Sequence, residues 1–338
     1  NVGDMIEAFK SAIQAKADIR FRDIIRFAGQ FVPEEYYGHE AWKYFHREGS
    51  SDDRGRNPIT EDEAIMCYLV AYGQMHQSKL KRAFDAMLGK MRFPSKINIV
   101  DWGCGQGLGT MVLLDYLKEK GHECLVDNVI LIEPSSLALE YANLYVSKKL
   151  SAQGTGIKIV NKYFSNLESS DLQMEGDSAV IHLYSNILDV EGIDIKDLAL
   201  WLKCFRQREN YVICASPYYW SGNNRIEDFF SYLNNPVKIV REEESDKQNN
   251  PEGNFTYNIR IVKLLAEAAR RIRNLRFYTP RQFFGAYRID TFNDVDAKRY
   301  TLQSAFDVYA PYEISSSYKD DVDPVYAVLS NIISRGLP

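Results

Sequence analysis

The stretch Ile97-Asn98-Ile99-Val100-Asp101-Trp102-Gly103-Cys104-Gly105-Gln106-Gly107-Leu108-Gly109 decides the fold. Four strand-forming positions end in an acid, glycines follow at alternate positions, and an apolar helix begins at Thr110-Met111-Val112-Leu113-Leu114. A strand that stops in a glycine-rich turn and restarts as a helix presents unpaired backbone N–H groups to a ligand. The glycines let the chain turn tightly and let that ligand approach the backbone. The spacing is neither G-x-G-x-x-G, because Leu108 and Thr110 stand where the last glycine belongs, nor a P-loop, which ends in Gly-Lys-Ser/Thr.

Outward from this turn the chain alternates strand and helix. Strands are predicted at 97–101, 129–133, 157–160, 178–183 and 211–215, and helices at 108–119, from Ser136, and over 194–206. Short apolar runs separated by amphipathic helices indicate an α/β fold, a doubly wound and mostly parallel sheet. Two further strands, 237–241 and 255–262, flank the polar stretch 242–254 and read as an antiparallel pair, which brings the sheet to seven strands.

Helical additions are expected at both ends. In the N-terminal part, Ile6, Phe9 and Ile13 keep helical spacing, as do Ile24, Phe27 and Phe31, before Pro33 breaks the pattern. The aromatic stretch Tyr36–Phe45 and a turn-like segment Ser50–Pro58 follow. Thr60-Glu61-Asp62-Glu63 then opens a helix that Gly73 is expected to interrupt. At the other end, 264–275 reads as a basic helix, Thr279-Pro280 as a restart, and Asp323 or Pro324 as the opening of a last helix. The domains expected are therefore 1–92, a helical extension or cap; 93–263, the sheet; and 264–338, a helical extension.

Composition is that of a globular protein: 45% hydrophobic and 26% charged over 338 residues. The net charge of −5 gives no global pull toward nucleic acid. No apolar run reaches membrane-spanning length and no signal-peptide pattern opens the chain, so no membrane partner and a cytoplasmic location are expected. Cys67, Cys104, Cys124, Cys204 and Cys214 are scattered without a C-x-x-C, as are the five histidines, which reads as reduced thiols and no metal site. The chain starts at Asn1 and stops just after an apolar segment, so a processed chain or a piece of a longer polypeptide with further domains is expected.

The pattern Asp101-x-Gly103-x-Gly105-x-Gly107 resembles motif I of the class I S-adenosylmethionine (SAM) dependent methyltransferases. That resemblance implies their seven-stranded sheet, whose last strand runs antiparallel, and SAM as cofactor. It places Asp101 near the methionine amino group, with Gly103, Cys104, Gly105 and Gly107 making room for the methionine end. Glu133, closing the second strand, looks like the acid that accepts both ribose hydroxyls, with Pro134 beside it. Asn166 and Leu167 stand where the family contacts adenine, and Tyr184 and Ser185 lie in the region where substrate meets the methyl group. The helix preceding the first strand folds over the pocket in many members. Tyr72 and His76 of the segment Tyr72-Gly73-Gln74-Met75-His76 are the candidate contacts there; packing for Tyr72 and Met75 and a surface position for His76 is the other reading.

Methyl transfer needs an in-line nucleophile, exclusion of water and, for an amine or hydroxyl acceptor, a route for its proton. His182, Asp189 and Tyr218 are the candidate catalytic residues, each with a structural alternative as core histidine, helix cap and packing residue. Tyr184-Ser185-Asn186-Ile187 matches no acceptor motif, and Ser216-Pro217-Tyr218-Tyr219 lacks the second proline and the position of an amide N-methyltransferase motif. The basic run Arg260, Lys263, Arg270, Arg271, Arg273, Arg276 and Arg281, interleaved with Phe277, Tyr278, Phe283 and Phe284, reads as an RNA-binding surface or as a salt-bridged helix face. The expected activity is methyl transfer to a macromolecule, RNA first and protein second. The rival is a catalytically degenerate SAM-binding sensor or scaffold module.

Overall fold

A computed structural model describes residues 2–32, 57–122, 124–218, 222–234, 236–245 and 255–266. The chain divides into one compact unit over 1–265 and a second over 266–338. The readings at 36–45 and beyond 266 lie outside the described residues.

Seven strands form one sheet: β1 (Lys96–Trp102), β2 (Leu125–Ile132), β3 (Gly156–Val160), β4 (Ala179–Ser185), β5 (Asn210–Ser216), β6 (Val237–Glu244) and β7 (Tyr257–Leu264). Their order is β3-β2-β1-β4-β5-β7-β6, and β7 pairs antiparallel with both β5 and β6. β1 leads to β2 on one side and has β4 on the other, so the topology switches direction between β1 and β4. A crevice opens there at the carboxyl ends of the strands.

The described helices are α1 (Val2–Ala15), α2 (Phe21–Phe31), α3 (Asp62–Leu88), α4 (Leu108–Glu119), α5 (Ser136–Leu150), α6 (Ile195–Leu200) and α7 (Gly222–Ser231). Strand alternation sorts the core into two layers. Ile97, Ile99, Ile181 and Leu183 face a cluster shared with α1 to α5, while Val100, Trp102, Val180 and Tyr184 face one shared with α6 and α7. The N-terminal helices therefore bury their apolar faces in the same core as the sheet.

A buried ionic link ties them down. Asp115 of α4 accepts from the Phe21 backbone N–H over 2.7 Å, at the first turn of α2, and from Lys149 Nζ of α5 over 2.7 Å. Lys149 also donates to the Ile19 carbonyl. Both side chains are nearly inaccessible, 6% and 3% exposed, and Lys149 pairs with Asp18 as well, over 3.2 Å, so the Asp115 carboxylate depends on Lys149 while Lys149 has two carboxylate partners.

Several boundaries move. β2 starts at Leu125, four residues before the predicted strand, and Glu133 lies just past its end. The predicted helix 194–206 is α6 followed by a 3-10 segment, Trp201–Phe205. Leu264, expected to open a basic helix, closes β7. Gly73 does not interrupt α3, which runs unbroken through it. A Cβ at Gly73 would stand 3.1 Å from the Ile25 side chain, so the glycine serves close packing of α2 on α3.

Candidate functional site

The crevice at the switch point is walled by the turn after β1, the start of α5, the loop after β4, one face of α3 and the segment holding Asn57 and Ile59. Asp101, Gly103, Cys104, Gly105, Glu133 and Ser185, expected to meet a cofactor, all line it.

The turn is built by backbone conformation. Gly103, Gly105 and Gly107 have φ of +63°, +51° and +75°, a region costly for side chains. They differ in what excludes a Cβ. At Gly103 it would meet Ile187 Cδ1 at 2.6 Å, and at Gly107 Ala142 Cβ at 3.1 Å. At Gly105 it would meet nothing within 4 Å, so only the open cleft lies there. Gly107 therefore packs against α5 and does not enter the wall.

Two carboxylates hold this turn. Asp101 Oδ2 accepts from the Thr110 backbone N–H over 3.1 Å and from Thr110 Oγ1 over 2.7 Å. Burial pushes its carboxyl up to about 6, against the lowering effect of those two bonds. Glu133 accepts from Gly105 N–H at Oε2 (3.1 Å) and from Ser135 N–H at Oε1 (3.0 Å), joining the turn to the start of α5. Burial raises its carboxyl as well. A carboxylate offers about four acceptor positions, so both oxygens of Glu133 keep capacity for a ligand. Ser135 caps α5 by accepting from Ala138 N–H and donates its hydroxyl proton to the Ile59 carbonyl, which draws the Asn57–Ile59 segment over the cleft. Gln106 donates to the Ile65 carbonyl of α3, while its Oε1, buried in the cleft wall, has no partner.

At the other end of the cleft, α3 and the loop after β4 meet in a polar chain. Lys79 Nζ donates to Asn186 Oδ1 over 2.6 Å, Asn186 Nδ2 lies 2.5 Å from His76 Nδ1, and His76 Nε2 lies 2.9 Å from Tyr68 Oη. Tyr68, His76, Asn186 and Ile187 line the cleft, with Lys79 buried behind them. Burial pushes the Lys79 amine down to about 7, and burial together with the Lys79 charge holds the His76 imidazole well below its usual value. Arg225 of α7 pins the loop by donating to the carbonyls of Leu188 (3.3 Å), Val190 (2.9 Å) and Ile193 (2.7 Å).

The remaining candidates lie elsewhere. His182 stands opposite Val100 in the register, so it faces the second core layer, away from Asp101. It is fully buried, and burial pushes its imidazole down to about 4. The Trp102 indole, a donor only, gives its N–H to His182 Nδ1 over 3.1 Å, so the proton on Nε2 is donated to Asn210 Oδ1. That is a fixed cross-strand link. Tyr184 stacks on Trp102 in the same layer, with ring centroids 5.6 Å apart. Leu167 is buried there too, and Asn166 lies in an exposed 3-10 turn. The Pro134 carbonyl accepts from Asn161, outside the wall. Tyr72 packs against Tyr68, centroids 5.2 Å apart, and is not a wall residue. Tyr218 also stays outside it, its backbone N–H donating to Thr256 Oγ1. Asp189 sits behind the wall within the fields of Lys79 and Arg225, and burial raises its carboxyl against those two charges.

Tyr68, Lys79, Gln106 and Asn186 complete the site beyond the predicted set, and His76 is buried in the cleft wall rather than on the surface. The signal for Tyr68, His76 and Lys79 is the helical spacing 68, 72, 76, 79, a polar and aromatic stripe on one face of α3.

The arrangement fits SAM: acceptor atoms at Asp101 and Gln106 for an ammonium, Glu133 for paired hydroxyls, and open space above Gly105. Among the described residues no cluster of His, Cys, Asp and Glu is arranged to hold a metal, and no helix is long and apolar enough to cross a membrane. No protein-family model and no curated protein matches the sequence. Solved structures similar in fold include the small RNA methyltransferase HEN1 (16% identity, 55% of this chain and 25% of that chain, TM-score 0.37). They also include geranyl diphosphate C-methyltransferase from Streptomyces coelicolor A3(2) (11%, 77% and 98%, TM-score 0.37). A third is M. capricolum TrmK, solved with S-adenosylhomocysteine (11%, 75% and 96%, TM-score 0.32). This chain thus spans a quarter of the length of HEN1. At these identities and TM-scores the likeness adds nothing to what the strand order already gives. A sheet ordered β3-β2-β1-β4-β5-β7-β6, with β7 antiparallel and the glycine turn at its switch point, is the class I SAM-dependent methyltransferase fold.

Proposed function

We propose that the chain transfers a methyl group from SAM to a macromolecular acceptor, RNA before protein. The observation that carries the cofactor is the buried, partnerless Gln106 Oε1 in the same wall as Asp101 and Glu133. A buried acceptor without a partner costs about 1–3 kcal/mol, and an ammonium ligand offsets that cost. Asp101 and Gln106 would hold the methionine ammonium, and Glu133 the ribose hydroxyls. SAM, when bound, supplies a methyl on an activated sulfonium. Leu108, Ile187 and Val190 exclude water from the cleft, and Ser185 and Asn186 face the acceptor.

The macromolecular reading rests on the helical additions. Among the basic run, Arg260 pairs with Glu227 and Glu243, and Lys263 with Glu209, so these two are committed to ion pairs within the fold.

Equilibrium binding of SAM and S-adenosylhomocysteine comes first, followed by labelled methyl transfer to total cell RNA, DNA and protein. Transfer to RNA that is lost in Asp101→Ala and Glu133→Ala is the expected result. No binding of either compound at millimolar concentration overturns the reading, and binding without transfer to any pool leaves a sensor module in its place.

A further inference from the structure

The polar chain at the acceptor end has a direction, and chemistry fixes it. An ammonium has no acceptor, so a charged Lys79 requires Asn186 to present Oδ1 to it. Asn186 Nδ2 then faces His76 Nδ1, which must carry a lone pair, and the single His76 proton sits on Nε2, facing Tyr68 Oη. In this state His76 accepts no proton from the cleft.

Loss of the Lys79 proton lets every link reverse. A neutral Nζ has a lone pair, so the Asn186 amide can turn and donate to it from Nδ2. Asn186 Oδ1 then accepts from His76 Nδ1–H, and Nε2 becomes the lone pair facing Tyr68. We infer that Lys79 is the positioning residue of the acceptor site: acting through Asn186, it decides whether His76 Nε2 donates or accepts, and His76 takes the acceptor's proton only when Lys79 is neutral. This rests on the methyltransferase reading for its chemistry, though not for its geometry.

The step balances. The acceptor's lone pair forms the bond to the methyl carbon, and the carbon–sulfur pair returns to sulfur. The acceptor's N–H or O–H proton passes to Tyr68 Oη, and the Tyr68 proton passes to His76 Nε2. The other N–H of the resulting imidazolium donates to Asn186 Oδ1. Because the Lys79 charge disfavours a charged His76, a neutral Lys79 also removes the repulsion that this imidazolium would meet.

Among the described residues the groups around Lys79 are few. His76 lies on its own helix, Asp189 faces it from the loop after β4, and Cys214 faces it from β5. Asp189 is faced in turn by Ser216 and Arg225, Cys214 by Ser216 and Arg260, and Tyr68 by Tyr72, Asp189 and Glu133. The Lys79 amine, held down to about 7 by burial against the raising effect of Asp189 and Cys214, titrates within the working range.

The test reads the tautomer directly, by nitrogen NMR of the intact chain carrying 15N-histidine, from about pH 5.5 to about pH 9. Expected is a His76 that carries its proton on Nε2 at low pH and on Nδ1 at high pH, with the change centred on the Lys79 titration. Lys79→Arg, charged throughout, holds the low-pH form across the range. Asn186→Asp, an acceptor on both sides, holds the high-pH form across the range. A wild-type His76 with one tautomer at every pH, or a Lys79→Arg variant that still switches, overturns the inference. Once an acceptor is identified, kcat should rise about tenfold per pH unit below the Lys79 titration in the wild type. In Asn186→Asp it should lose that limb. A chain without methyltransferase activity leaves the NMR outcome readable, so the two failures are distinguishable.

Discussion

Lys79 of α3 and Asn186 of the loop after β4 lie 107 residues apart in sequence and meet through a 2.6 Å hydrogen bond. Asn186 is also the only non-glycine among the described residues with positive φ, +54°. The amide that joins helix to loop thus sits on a strained backbone, and the two contributions are separable. Asn186→Gly removes the amide and relaxes the backbone, whereas Asn186→Ala removes the amide and keeps the strain. The alanine variant should be less stable than the glycine variant by about 1 kcal/mol. Urea unfolding of both variants decides this. Equal stabilities would place the strain elsewhere.

Asp101 gives the pH dependence a sign. Its folded carboxyl is raised to about 6 from an ordinary 3.8, so between these values the folded chain holds a proton that the unfolded chain has lost. The corresponding stability, about 3 kcal/mol, is fully present below pH 3.8 and is lost as pH rises through 6. Asp101→Asn should flatten that part of the stability profile. Ligand affinity runs the other way, because the proposed ammonium contact needs the carboxylate. SAM should bind about tenfold more weakly for each pH unit below 6 in the wild type, and weakly at every pH in Asp101→Asn. Calorimetry across this range would expose a mistaken assignment as a pH-independent affinity in the wild type.

The sequence carries the local parts of this site. The strand, the glycine turn and Glu133 at the end of the next strand follow from short-range pattern, since each needs only its neighbours to form. His182 shows what is lost beyond that range. Its position in β4 is legible, but the face it presents depends on the register that sets it opposite Val100, a property of two strands. Gly73 reads as a helix break until Ile25 is known to pack on it. Lys79 is missed altogether, because nothing in one dimension shows Asn186 waiting for it. The stripe at 68, 72, 76 and 79 is visible, yet an aromatic stripe at helical spacing reads equally well as core.

The link that fixes the N-terminal helices to the sheet should be costly to break from one side. Asp115→Ala leaves the Phe21 N–H without its acceptor and Lys149 with only Asp18 as a carboxylate partner, and should cost about 2–3 kcal/mol. Asp115→Asn keeps an acceptor for Phe21 and should cost less. The double variant Asp115→Leu with Lys149→Met, apolar on both sides, should recover much of the loss. Denaturant midpoints for the three variants make the comparison, and a double variant no better than Asp115→Ala would mean that the pair contributes more than mutual neutralisation.

The glycine turn separates what the fold needs from what the ligand needs. A Cβ at Gly103 collides with the Ile187 side chain inside the protein itself, at 2.6 Å, so Gly103→Ala must displace that side chain. Its stability loss should shrink when Ile187→Ala is added, because the second change opens room for the first. At Gly105 the new methyl meets no protein atom and projects toward the cleft that this residue lines. Gly105→Ala should therefore cost only the backbone strain of its positive φ, about 1 kcal/mol, and Ile187→Ala should not rescue it. Its SAM affinity should nevertheless fall at least about tenfold, since a ligand that closes on the turn meets the methyl group directly. Stability and SAM affinity measured together on the two variants give opposite profiles if the cleft above Gly105 is the cofactor site. A Gly105→Ala chain that binds SAM as tightly as the wild type would move the cofactor away from this turn.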